Sequence, residues 1–94
     1  MALSPDAAGA LIGELTRRIE ALQAATYAGR DPAGLAEVKV DGAGLVCEVT
    51  LSRSIARHRP DAVASAIREA VTAAQLSLAE AFEGLAREAE GWES

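Results

Sequence analysis

The chain opens with apolar residues at helical spacing. Within residues 5–24 they recur at alternating steps of four and three, at Ala8, Ile12, Leu15, Ile19 and Leu22, with Leu11 as a further apolar residue beside them. This heptad pattern predicts an α-helix with one apolar face. Ser4 suits the N-cap and Pro5 the first helical position. The face fits two interpretations: it packs on the protein's own sheet, or it is shared between that sheet and a partner subunit.

The middle of the chain changes to a period of two. Apolar and polar residues alternate over residues 35–40 and 45–51, which predicts two β-strands. The Asp41-Gly-Ala-Gly44 link between them is typical of a hairpin. Residues 26–30 predict a third, shorter strand with Tyr27 on the apolar face beside Val38, although the preceding alanines also fit a longer first helix.

The hairpin register follows from keeping apolar residues on one face. Three pairs satisfy this condition: Val40 with Leu45, Val38 with Cys47, and Ala36 with Val49. The same register places Glu37 opposite Glu48 on the outer face, where Lys39 and Arg30 would neutralise them. Cys47 is then expected to be a buried core thiol rather than a nucleophile.

A basic, irregular connector (residues 53–59) precedes a second helix predicted over residues 60–90. Its apolar positions are Val63, Ile67, Val71, Ala74, Leu78, Phe82 (or Ala81) and Leu85. Such a helix is about 46 Å long, whereas a compact globule of this size is roughly 30 Å across. We therefore expect the helix to extend past its own sheet and to be covered by another subunit.

The composition also favours self-association. Half of the 94 residues are apolar, but 22 of these are alanine and only 20 are Leu, Ile or Val. Alanine buries little surface, so a self-contained core is small. We expect a homodimer whose interface includes Leu15, Ile19, Leu22, Leu78, Phe82 and Leu85.

The sequence has few of the cysteine and histidine residues that commonly form catalytic and metal-binding sites. The chain has one cysteine and one histidine, which excludes an internal disulfide and a multi-cysteine zinc site. Asp41-Gly-Ala-Gly44 lacks the Lys-Ser/Thr ending of a P-loop. We expect no enzyme activity, no cofactor and no metal. Without an apolar stretch for a membrane span or a leader peptide, the chain is expected to be cytoplasmic.

The charge is unevenly distributed. The net charge is −5, yet residues 53–68 carry +3 and residues 69–94 carry −5. The basic residues fit two interpretations: a solvated surface paired with Glu14, Glu20 and Asp61, or contacts to DNA phosphates. Under the second interpretation the candidates are Arg53, Arg57, Arg59, Arg17, Arg18 and Arg68.

The order of elements resembles the YbaB/EbfC family of bacterial nucleoid-associated proteins. Residues 34–51 are similar to the family's glycine, alternating strand, Asp-Gly-x-Gly turn and second alternating strand. Residues 66–74, Ala-Ile-Arg-Glu-Ala-Val-Thr-Ala-Ala, resemble its alanine-rich helix start. The resemblance covers residues 8–90 and depends more on the order of elements than on any one motif.

The resemblance implies an α+β protomer of order α-β-β-β-α in an intertwined homodimer. It also implies binding of double-stranded DNA with little sequence preference, in the nucleoid. The acidic half of the second helix supports an alternative, a dimeric adaptor that binds a protein partner instead of DNA. Trp92 would anchor that partner, or else cover the helix end near Ala86.

Overall fold

The protein is a helix, a three-stranded antiparallel sheet and a long second helix, as the sequence predicts. The structure, a computed structural model, describes residues 5–91. Its elements are α1 (Pro5–Ala24), β1 (Tyr27–Arg30), β2 (Ala36–Val40), β3 (Val46–Leu51), a 3₁₀ helix (Arg53–Arg57) and α2 (Pro60–Gly91). The α+β layout is thus confirmed, with each strand beginning one residue later than predicted. Ser4 and Trp92 lie outside the described residues.

The predicted hairpin register is wrong. The strand order is β1-β2-β3, and Val38 lies opposite Val49 rather than Cys47. The register is therefore two residues off along most of the hairpin. A shift of two keeps every side chain on its face, so Val49 still shares the apolar face with Val38.

The turn and a bulge cause this difference. The Asp41 carboxylate accepts hydrogen bonds from the backbone nitrogens of Ala43 (2.9 Å) and Leu45 (3.0 Å), and Gly44 has a φ of +82°. The Asp41 backbone nitrogen donates a 2.9 Å hydrogen bond to the Leu45 carbonyl, which leaves three loop residues instead of the four expected. Cys47 faces no single residue of β2, because Val40 pairs with Val46 and Lys39 with Glu48, and its thiol donates a 3.3 Å hydrogen bond to the Lys39 carbonyl. Cys47 is the extra residue of this β-bulge. It is exposed, as is every other residue of β3, so the prediction of a buried thiol is also wrong.

The outer face of the sheet is polar and its charges are matched across strands. Glu37 lies opposite Thr50, not Glu48. The Arg30 Nε is 2.6 Å from the Glu37 carboxylate, and the Lys39 Nζ is 3.2 Å from that of Glu48. Arg30 and Lys39 are thus the neutralising partners that the sequence predicts, although the facing pairs differ.

The core lies between α2 and the first two strands. Val38 and Val40 are fully buried beneath a stripe of small residues, Ala66, Ala70 and Ala74. Gly29 on β1 touches the backbone of α2 at Ala74, where a Cβ would overlap main-chain atoms. Tyr27 packs against this core as predicted, but opposite Val40 rather than beside Val38.

The centre of the α2 contact differs from the predicted apolar face. Small residues let the helix backbone approach the sheet closely, so the alanines are the buried positions. The larger residues Val63, Ile67, Val71 and Leu78 flank this stripe and are only partly buried. The periodicity places Ala74 correctly and misses Ala66 and Ala70.

Helix α1 lies mostly away from the sheet. None of its residues, all within the described part of the chain, is buried. It meets the sheet at its C-terminal end, where Gly42 contacts Gln23 and the Tyr27 hydroxyl donates a 2.7 Å hydrogen bond to the Leu22 carbonyl. Packing of its whole apolar face on its own sheet, one of the two interpretations above, is therefore wrong.

The protomer is elongated. Residues 79–91 of α2 continue past the sheet and run alongside α1, which they contact sparsely. The radius of gyration is 18.5 Å and the longest extent is 63 Å. A compact chain of this length has a radius of gyration of about 12 Å, so much of the apolar surface stays outside any core of the protomer.

Candidate nucleic-acid interface

The arginine connector, residues 53–59, follows the edge strand β3 directly. The Ser52 hydroxyl caps the 3₁₀ helix by accepting a 3.2 Å hydrogen bond from the Ser54 backbone nitrogen. This short helix, in place of the irregular segment predicted, fixes Arg53 and Arg57 on one element, with Arg59 just before α2. All three side chains are exposed, and none forms an ion pair with any residue between 5 and 91.

Arg68 belongs to a different surface. It lines a shallow groove of about 560 Å³ between α2 and β1, together with Arg30, Pro32 and Leu76. Its side chain is exposed and has no ion-pair partner in the described part of the chain. The groove has no basic excess, because Arg30 is paired with Glu37 and Glu69 lines the groove beside Arg68.

Arg17 and Arg18 are already engaged by carboxylates. The Glu14 carboxylate is 2.8 Å from the Arg17 guanidinium and 3.3 Å from the Arg18 Nε. Arg18 also pairs with Glu88 on α2. We call these four residues the α1–α2 ion-pair cluster. The hydrogen bond from Arg17 holds the pKa of Glu14 below its ordinary value, and the bond to Glu88 raises the pKa of Arg18.

The six arginines predicted from the sequence therefore do not form one patch on the protomer. Arg18 meets α2 at Glu88, about 42 Å along the helix from its start at Pro60. This separation is several Debye lengths at physiological salt. The arginine connector and the α1–α2 ion-pair cluster are thus electrostatically independent within one protomer.

All six residues predicted for the dimer interface are half-buried. Leu22 and Leu85 line a groove of about 460 Å³ between α1 and the projecting part of α2. Leu78 packs against the core beside Gly44, so its own protomer covers part of it. The others, also neither exposed nor fully buried, are Leu15, Ile19 and Phe82.

Another uncovered apolar surface lies on β3, and the sequence argument did not single it out. Helix α2 packs on β1 and β2 but scarcely on β3. The apolar face of β3 stays open as a result, with Val46, Val49 and Leu51 exposed by 47%, 45% and 39%. The alternation marked Val49 and Leu51 as inward-facing and put Val46 on the opposite face, and it could not show that the helix stops short of the third strand.

Other chemistry is sparse in the described part of the chain. Residues 5–91 contain no group of three His, Cys, Asp or Glu side chains arranged to hold a metal ion. Cys47 and His58 are exposed; Cys47 lies on β3 and His58 follows the 3₁₀ helix. Among the helices between residues 5 and 91, none is long and apolar enough to span a membrane.

The elements define a class of fold, an α+β protomer in which a three-stranded antiparallel sheet follows one helix and precedes another along the chain. The chain is similar in structure to an uncharacterized protein, HP0035, from Helicobacter pylori. The TM-score is 0.63 at 14% sequence identity, over 93% of this chain and 97% of that one. At this identity the likeness supports the fold alone. No family model and no curated protein matches the sequence.

Proposed function

We propose that the protein is a homodimeric, nucleoid-associated protein that binds double-stranded DNA with little sequence preference. The observation that carries this proposal is the arginine connector, whose three exposed guanidinium groups have no carboxylate partner among residues 5–91. Unpaired guanidinium groups on the surface are the usual contacts to DNA phosphates. The resemblance of residues 8–90 to the YbaB/EbfC family points to the same function and to a cytoplasmic location.

The dimer is the second part of the proposal. An open apolar strand face, a first helix without a buried residue and a radius of gyration of 18.5 Å all favour association. We place a second copy over the apolar face of β3, next to the arginine connector. Two-fold symmetry would then double the connector and give six arginines along one DNA site.

The proposal assigns direct readout of bases to no residue. The connector offers three guanidinium groups on a 3₁₀ helix of five residues and the segment after it. It offers no recognition helix that could enter a major groove. Binding through phosphates alone depends strongly on salt and weakly on sequence. We likewise propose no catalytic role, metal or cofactor.

The test is DNA affinity measured by fluorescence anisotropy at several salt concentrations. With a labelled duplex of about 25 base pairs, we expect wild-type affinity to fall steeply between about 50 and 200 mM salt. Arg57→Gln combined with Arg59→Gln removes up to four contacts per dimer. The affinity should fall at least about tenfold, and the slope of log K against log salt should become shallower by up to about 4.

The matched control is Arg30→Gln combined with Arg87→Gln. It removes the same charge from arginines that are already paired, with Glu37 and Glu83. We expect a much smaller loss of affinity in this control. Equal effects in the two double variants would contradict the connector as the binding surface, and a wild-type protein that binds no duplex even at low salt would refute the function.

A dimeric adaptor is the second candidate. Four exposed glutamates, Glu80, Glu83, Glu88 and Glu90, lie on the projecting half of α2, and Arg87 is the only basic residue between residues 79 and 91. An acidic helix of this kind suits a basic protein partner. This candidate replaces the first if the anisotropy measurement shows no DNA binding.

A further inference from the structure

The α1–α2 ion-pair cluster neutralises the two arginines of α1. Glu14 is bonded to both Arg17 and Arg18, and Glu88 reaches Arg18 from the other helix. Two carboxylates thus face two guanidinium groups, and the cluster has no net charge. The arginine connector differs in charge, because its three guanidinium groups have no ion-pair partner among residues 5–91.

The cluster remains accessible to solvent. The side chains are 70% exposed for Arg17, 39% for Arg18, 45% for Glu14 and 46% for Glu88. Exposed ion pairs are weak, typically under about 1 kcal/mol. The dense phosphates of DNA can therefore compete with the two carboxylates for the same guanidinium groups.

We propose that Glu14 and Glu88 mask Arg17 and Arg18, and that these two arginines contact DNA phosphates once the two carboxylates are displaced. This inference rests on the proposed function and adds a regulation to it. The masked surface lies about 42 Å along α2 from the start of the helix, the distance spanned by roughly twelve base pairs of DNA.

The experiment compares two variants that gain the same charge. Glu14→Gln combined with Glu88→Gln unmasks the arginines. Glu20→Gln combined with Glu80→Gln also removes one carboxylate from each helix, but neither of these has an ion pair among residues 5–91. We expect the unmasked variant to bind DNA about tenfold more tightly than the control, with a steeper salt slope.

A mutant cycle separates masking from a purely structural role of the ion pairs. Arg17→Gln combined with Arg18→Gln should cost little in the wild-type background and should cancel the gain in the unmasked background. Equal losses in both backgrounds would overturn the proposal. Glu88→Gln alone, which leaves Glu14 in place, repeats the comparison if the double variant does not fold.

The possible outcomes distinguish the two proposals. If the wild type binds DNA and the unmasked variant binds no better than the control, masking is wrong and the proposed function stands. If the wild type, the control and the unmasked variant all fail to bind at about 50 mM salt, the proposed function is wrong and masking of a DNA surface is wrong with it.

Discussion

At the scale of single residues, Gly29 is the point at which the backbone of β1 lies against the backbone of α2. The strand backbone touches the helix backbone at Ala70 and Ala74, and a side chain on Gly29 would overlap main-chain atoms. Backbone atoms cannot move aside as a flexible side chain can. Gly29 and the alanine stripe together allow α2 to lie directly on β1.

Gly29→Ala should therefore destabilise the protein strongly. Forcing a methyl group into a packed contact costs about 1–3 kcal/mol or more, and we expect the upper end of this range in urea unfolding. Gly9→Ala is the control, because a Cβ there meets no atom within 4 Å. It should stabilise α1 by about 0.5–1 kcal/mol, the usual gain in helix propensity. If Gly29→Ala were as stable as the wild type, that result would contradict the close contact between α2 and β1.

Glu14 is the residue whose titration reports on the ion-pair cluster. The hydrogen bond from Arg17 is the largest cause of its lowered pKa, and Arg18 adds to it. A lowered pKa in the folded state means that the contact stabilises the fold above the ordinary glutamate pKa. That contribution is lost as the pH falls through the lowered value.

A carbon-detected NMR titration should place the Glu14 midpoint below the ordinary glutamate range. Arg17→Gln should raise it further than Arg18→Gln does, because the Arg17 bond has the larger effect. An ordinary midpoint in the wild type would mean that the pairs do not persist in solution. Equal shifts in the two variants would contradict the assignment of Arg17 as the main partner.

At the scale of elements, the sequence predicts which segments form helices and strands but not how closely they pack. Periodicity locates α1, the three strands and α2 to within a residue at each strand start, because it reports local backbone geometry. It misplaces the hairpin pairing, because Asp41 shortens the loop and Cys47 forms a bulge. Both effects depend on specific hydrogen bonds that an alternating pattern does not encode.

Some features of the charged residues could be predicted from the sequence, and others depend on the packing of the helices. The clustering of Arg53, Arg57 and Arg59 is a property of the sequence, because they are neighbours on one short segment. The engagement of Arg18 by Glu88 joins residues 70 positions apart, and only the antiparallel arrangement of α1 and α2 brings them together. Sequence reasoning named Glu14 as a partner and missed Glu88 for this reason.

At the scale of the whole molecule, the open face of β3 should govern assembly. We expect light scattering to give a mass about twice the 9.7 kDa of the chain. Val49→Lys places a charge in the uncovered apolar face and should yield a monomer at micromolar concentration, because a charge buried at an interface without a partner is costly. Thr50→Lys is the matched control on the next residue, which points to the polar face opposite Glu37.

The two substitutions also decide between two modes of assembly. If the dimer formed only through the half-buried residues of α1 and α2, such as Ile19 and Phe82, Val49→Lys would remain dimeric. A monomer from Thr50→Lys would instead place the partner on the polar face of the sheet. With β3 at the interface, the two connectors that follow it lie near the two-fold axis. Val49→Lys should then also weaken DNA binding, although it removes no arginine.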